Sequence, residues 1–166
     1  MKKTLIIATL VIFALFVITI FSPLLYGKRS LTEKELTILQ PVYESSVDFD
    51  KVKIKSGGPL TFVYPGVTIG NTVSFPKDAY NENDQKDQAL LVHELCHVWQ
   101  YQHFGLGYIP RSLWELITQR DTYVIHYDAK KSFREYDIEE QCEIVAEYFL
   151  TEDIRYASYI EELRAQ

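Results

Sequence analysis

Apolar positions in this chain fall into three kinds of pattern. From Leu5 to Phe21 they run almost unbroken, apart from Thr9 and Thr19. From Lys51 to Lys55 they alternate as K-V-K-I-K, which predicts a strand with Val52 and Ile54 on one face. In the segment from Asp84 to Phe104, Leu91, Val92, Leu95, Val98 and Trp99 recur at helical spacing, and Gly105 supplies a stop. Shorter signals fill in the rest. Thr32-x-x-Glu35 is a capping box for a helix through Leu36 and Leu39 that Pro41 is expected to end. After the break at Gly57-Gly58-Pro59, Leu60–Tyr64 and Val67–Phe75 read as strands separated by Pro65-Gly66, the second bent at Gly70-Asn71. Ser112-x-x-Glu115 opens another helix, Asp137-x-x-Glu140 caps one running through Cys142, Ile144, Val145 and Phe149, and Ile154–Leu163 forms a last short one. The sum is one α+β domain, residues 30–166, behind an N-terminal segment, residues 1–29.

The apolar run is long for a cleaved signal peptide and lacks a small-x-small cleavage site, so it is expected to remain as a single transmembrane signal anchor. With basic residues on both sides of the span the charge bias is nearly even, and the reading leans to an extracytoplasmic domain, periplasmic or extracellular. Charge then narrows the partners. Residues 1–30 hold four basic groups and no acid, leaving 13 basic against 23 acidic groups in residues 31–166, a net of −10. Such a surface repels phosphate backbones, so no nucleic-acid partner is expected. Two cysteines are too few for a disulfide scaffold, and 47% hydrophobic residues argue against disorder.

The chemistry lies in His93-Glu94-Leu95-Cys96-His97, an H-E-x-x-H string inside the strongest helical pattern. Two histidines four apart share a helix face and can reach one metal ion, with Glu94 beside it as general base for a water molecule. A catalytic zinc takes three protein ligands and keeps a fourth position open, so a further ligand is required downstream. Glu139 and Glu143 lie four apart on the next long helix. Glu139 is expected to complete the set, while Glu143 receives the free N–H of a ligand histidine. Glu140 is assigned to the cap, and His103 and His126 remain alternative ligands. Tyr123, His126, Tyr127 and Tyr136 are candidate oxyanion donors, among which the sequence does not choose. Cys96 and Cys142 each follow a proposed ligand by three residues and read either as a disulfide near the site or as small buried residues.

The stretch Leu90–Gln102 resembles the HELTHVWQ-type motif of small bacterial zincin-like metallopeptidases, which are similar to the metallopeptidase-like core domain associated with contractile injection systems. Phe133–Phe149 looks like the downstream Glu-bearing segment of that group, and Thr68–Phe75 like its T-x-G-N-T-V-x-F strand. Cys96 and Cys142 depart from it, standing where Thr or Gly and Ala are usual. The resemblance implies a zincin fold: a small mixed sheet packed on the H-E-x-x-H helix, with a second, Glu-bearing helix. By the gluzincin pattern it also carries the third-ligand role to Glu139.

The expectation is a membrane-anchored zinc metallopeptidase acting on a peptide or protein. His93, His97 and Glu139 serve as ligands, Glu94 as base and Zn2+ as cofactor. The competing reading is a non-catalytic, zinc-stabilised binding module of an envelope or secretion assembly.

Overall fold

The computed structural model describes residues 27–105 and 124–166. The signal-anchor span and the helix expected after Ser112 fall on residues outside these. Among the described residues no helix is long and apolar enough to cross a membrane.

The described chain is a mixed α+β domain, as the patterning predicts. Its elements are β1 (Lys28–Arg29), α1 (Glu33–Tyr43), β2 (Lys53–Ser56), β3 (Val67–Ile69), β4 (Thr72–Phe75), α2 (Gln85–Phe104), α3 (Ile138–Thr151) and α4 (Ala157–Arg164). The four strands form one sheet in the order β1-β2-β4-β3, with β2 and β4 parallel and the two outer pairs antiparallel. Lys28 and Arg29, expected to flank the anchor, pair with Lys55 and Ile54 of β2.

Period-two alternation decides what the sheet buries. Ile54, Val73 and Phe75 are at most 4% exposed and face the helices, where they meet Leu91, Leu95, Val98 and Trp99 of α2. α2 is held between the sheet and α3, and this fixes the spacing of the groups it carries. Asp84 caps α2 by accepting from the amides of Lys86 and Asp87, and Gly105 ends it at φ +63°.

Three expected elements take another form. Pro41 lies inside α1 rather than ending it; the helix runs two residues further, and Arg164 of α4 donates to the carbonyls of Pro41 and Val42, satisfying the terminal acceptors. Leu60–Tyr64 is not a strand. Pro59–Phe62 is a 3₁₀ turn; its Leu60 and Phe62, and Val63 directly after it, are exposed, so these apolar residues have no core face to alternate against. Val67–Phe75 folds as a hairpin, with Gly70 at φ +61° in the two-residue turn between β3 and β4.

The capping box of α1 carries more than a cap. Glu35 is fully buried, accepts from the Thr32 amide at 2.8 Å and forms a bidentate pair with Arg29, both contacts at 2.7 Å. Burial opposes its charge, but Arg29 and the capping amide outweigh it and hold its pKa below the usual carboxylate range. This pair fastens β1 to the domain.

Candidate metal site and cleft

α2 projects His93 and His97 from one face, and α3 brings Glu139 opposite them. Glu139 Oε2 lies 3.4 Å from Nε2 of each histidine, and the three donor atoms all lie within 4.8 Å of one another. Four donors arranged tetrahedrally at roughly 2.0–2.1 Å from a zinc ion stand about 3.3–3.4 Å apart, so both measured edges match that geometry. The donor set is chemically apt as well, two imidazoles and one carboxylate. On distances and chemistry, the residues fit a zinc ion.

The remaining ring nitrogens are occupied by groups that fix ring orientation. His93 Nδ1 is 3.2 Å from Glu143 Oε1. His97 Nδ1 is 2.8 Å from Oε1 of Gln100, a fully buried side chain. The Gln100 amide is itself oriented, because its Nε2 donates to the Ile138 carbonyl at 2.9 Å and to Gln141 Oε1 at 3.0 Å, while Gln141 Nε2 donates to the Tyr136 carbonyl. This chain of bonds ties α2 to the start of α3 and so sets where Glu139 stands. With Gln100 accepting, the His97 proton resides on Nδ1 and Nε2 is left as a donor atom for a metal.

The electrostatics are those of a cation site. Burial disfavours charge on His93, yet Glu139 and Glu143 outweigh it and raise its pKa well above the ordinary imidazole range. His97 is likewise raised by Glu139 against the cost of burial. Glu139 is pushed up by burial, but the two histidines prevail and hold it far below the usual carboxylate range.

These groups line a cleft of about 620 Å³, bounded by Tyr64–Thr68 on one side, Ala89 and Leu90 on α2, and Ala146, Glu147 and Leu150 on α3. Its described lining holds four glutamates and no lysine or arginine. Glu94, 5% exposed, faces the cleft and accepts from the Thr68 hydroxyl at 2.7 Å, with its own carbonyl a second acceptor at 3.0 Å. Gly66 is required here by space. A Cβ built at this position would come within 2.8 Å of both Cγ and Cδ of Glu94 and closer still to Oε1. Gly66→Ala is therefore expected to displace the Glu94 carboxylate; if the cleft carries the hydrolysis proposed below, kcat falls by roughly 10²-fold, and wild-type turnover would show that the carboxylate position is immaterial.

The structure brings His93, Glu94, His97, Glu139 and Glu143 together as the spacing predicts. It takes the alternatives elsewhere. His103 Nδ1 bonds the Trp99 carbonyl at 2.8 Å, and His126 Nδ1 is 3.0 Å from Glu140 Oε1. Glu140 is thus engaged with the His126 ring and amide instead of capping α3. Tyr136 is buried against Tyr159 and Asp128, and Tyr127 packs on Tyr156, so neither lines the cleft; Tyr123 lies outside the described residues. Cys96 and Cys142 are both free and fully buried. Sequence reasoning missed Tyr64, Gly66, Thr68, Gln100 and Gln141. Only Gln100 carried a usable signal, a polar residue three positions after His97 on the buried side of α2.

A family model described as the eCIS core domain, associated with contractile injection systems, matches residues 43–105, a stretch that includes all of α2. Over 137 residues the chain is 26% identical to the type VI secretion system spike protein VgrG2b of Pseudomonas aeruginosa, covering 74% of this chain but 13% of that protein. The solved effector domain of P. aeruginosa VgrG2b superposes with a TM-score of 0.61 at 25% identity, over 81% of this chain and 80% of that one. The described domain is thus similar to a domain associated with contractile injection systems and, over most of its length, to the effector domain of a secretion-system spike protein.

Proposed function

We propose that this chain is a zinc-dependent metallopeptidase of an injection or secretion assembly, held to a membrane by its N-terminal segment with the domain on the extracytoplasmic side. One observation carries the catalytic part: two imidazoles and a carboxylate converge at zinc-ligand spacing in a cleft that also contains Glu94. His93, His97 and Glu139 would hold the ion. When bound, zinc supplies Lewis acidity, which polarises a peptide carbonyl and lowers the pKa of water toward about 7.

The chain's own groups perform the remaining work. Glu94 accepts a proton from the attacking water and returns it to the departing amine, and Thr68 keeps the carboxylate aimed between those tasks. Tyr64 is the tyrosine among the described lining residues, and we assign it as the candidate donor to a developing oxyanion. Among the described residues β3 is an outer strand of the sheet beside the cleft, a position that suits an extended peptide lying along it.

The comparisons favour a second reading at the level of context. The matched domain and the matched spike protein are named for injection or secretion machinery, and neither name states an activity. A non-catalytic, zinc-stabilised binding module of such an assembly fits that context better than a peptidase does. The test is metal analysis of the purified full chain followed by hydrolysis of a mixed peptide library. One zinc per chain, turnover lost on chelation and turnover restored by one equivalent of zinc are expected. Zinc that raises the melting temperature without any cleavage would select the binding module.

A further inference from the structure

The outer face of the sheet, turned away from the helices, has a composition unlike the rest of the domain. Strand register places Lys28, Lys55, Ser74 and Val67 in one row across it and Lys53, Thr72 and Ile69 in the next. Each row runs from basic at β1 and β2 to apolar at β3, and no carboxylate stands in either, on a domain whose residues 31–166 carry a net charge of −10; Lys55 is buried beside Gly58, so Lys28 and Lys53 are the cations this face presents. Beside the apolar end sits the Pro59–Phe62 turn. Leu60 lines a small depression together with Lys28, Lys55, Val67 and Ile69, and the turn exposes Phe62 by 86% and Val63 by 74%. Ile69 adds a further exposed apolar side chain, at 48%.

The sequence indicates what this face meets. The apolar run ends at Phe21, the uncharged stretch continues to Gly27, and Lys28 follows immediately in β1. Seven residues span at most roughly 25 Å, so the strand that carries Lys28 is tethered close to the point where the chain leaves the apolar run. A basic rim next to exposed aromatic and aliphatic side chains is the composition that binds an anionic bilayer surface, with the cations at the headgroups and the apolar groups at the acyl boundary.

We propose that the outer face of the sheet, with the Pro59–Phe62 turn, rests on the anionic membrane surface into which residues 5–21 insert. Phe62 and Val63 enter the interface, while Lys28 and Lys53 meet the headgroups. Tyr64–Thr68, which continue directly from that turn, form one wall of the cleft. One wall of the cleft thereby adjoins the docked turn. The inference rests on the anchor reading and is independent of whether zinc catalyses anything.

The test uses the full chain reconstituted into vesicles of phosphatidylglycerol and phosphatidylcholine, with bromine placed shallowly in the acyl chains. Phe62→Trp is expected to add blue-shifted fluorescence that the brominated lipid quenches by at least half. Ile154→Trp, in a turn of the helical layer that is 83% exposed, is expected to add fluorescence that is not quenched. Combining Lys28→Glu and Lys53→Glu with Phe62→Trp is expected to reduce the quenching severalfold. Flotation after alkaline carbonate reports the anchor separately. A chain that floats with its Trp at position 62 unquenched overturns the docked face and leaves the anchor standing; a chain that does not float overturns both. A blue shift that appears in lipid-free detergent and grows with protein concentration would assign the face to a second copy.

Discussion

Glu94→Gln is expected to retain zinc at wild-type stoichiometry and to lose peptide hydrolysis by roughly 10²–10⁴-fold, the usual contribution of a positioned general base. That loss corresponds to about 3–5 kcal/mol of transition-state stabilisation. The substitution conserves shape, so the Thr68 hydroxyl still finds an oxygen acceptor and the Gly66 gap is still filled. What disappears is the capacity to take and return a proton. Because Glu94 does not belong to the group of donor atoms formed by His93, His97 and Glu139, metal binding and catalysis separate cleanly in this variant. Metal analysis paired with kcat/KM on a cleaved peptide checks both halves. The binding-module reading predicts the reverse pattern: Glu94→Gln is silent in any assay of assembly or secretion, whereas His93→Ala unfolds the domain or abolishes partner binding. Turnover that survives Glu94→Gln would remove the general-base assignment.

What could be read from the sequence follows a physical division. The side chains that converge on the cleft were legible because a helix converts spacing into direction: His93 with His97, and Glu139 with Glu143, are each four apart and so share a face whatever surrounds them. The strand at β2 was legible at period two, with Ile54 turned into the core, but Lys55 on the opposite face is buried as well, beside Gly58, which the alternation does not predict. Residues whose role depends on meeting a distant element carried no such signature. Thr68 reaches Glu94 across 26 positions and only because β3 turns back at Gly70 as the sheet edge. Gly66 looked like a chain break, and its actual constraint is the carboxylate packed against it. Leu60–Tyr64 was misread because apolar runs are taken to mark burial, and here Phe62 and Val63 face outward after a glycine-proline break. The gradient across the outer sheet face, basic to apolar, emerges only once four strands from residues 28 to 75 are placed in register.

Glu139 and Glu143 stand on one face of α3, and their substitution is expected to give unequal results. Glu139 Oε2 lies 3.4 Å from both imidazole Nε2 atoms, and its side chain is 12% exposed, whereas Glu143 meets only Nδ1 of His93, at 3.2 Å, and is 30% exposed. Glu143→Gln should keep all three donor atoms and loosen only the orientation and basicity of one ring, a loss of roughly 10–100-fold in zinc affinity. Glu139→Gln removes the single anionic donor and leaves two buried histidines without the carboxylate they share. Its loss of affinity should exceed that of Glu143→Gln by at least a further order of magnitude, with stability that zinc no longer rescues. Competition against a chelator of known affinity, together with melting temperatures measured with and without zinc, would quantify both variants. The Gln100 chain gives this asymmetry a structural basis: by bonding His97, the Ile138 carbonyl and Gln141 at once, it locks the first turn of α3, where Glu139 sits, to α2, while Glu143 lies one turn further on. Equal losses in the two variants, or a larger one in Glu143→Gln, would exchange the two roles and require the ligand face of α3 to be reassigned.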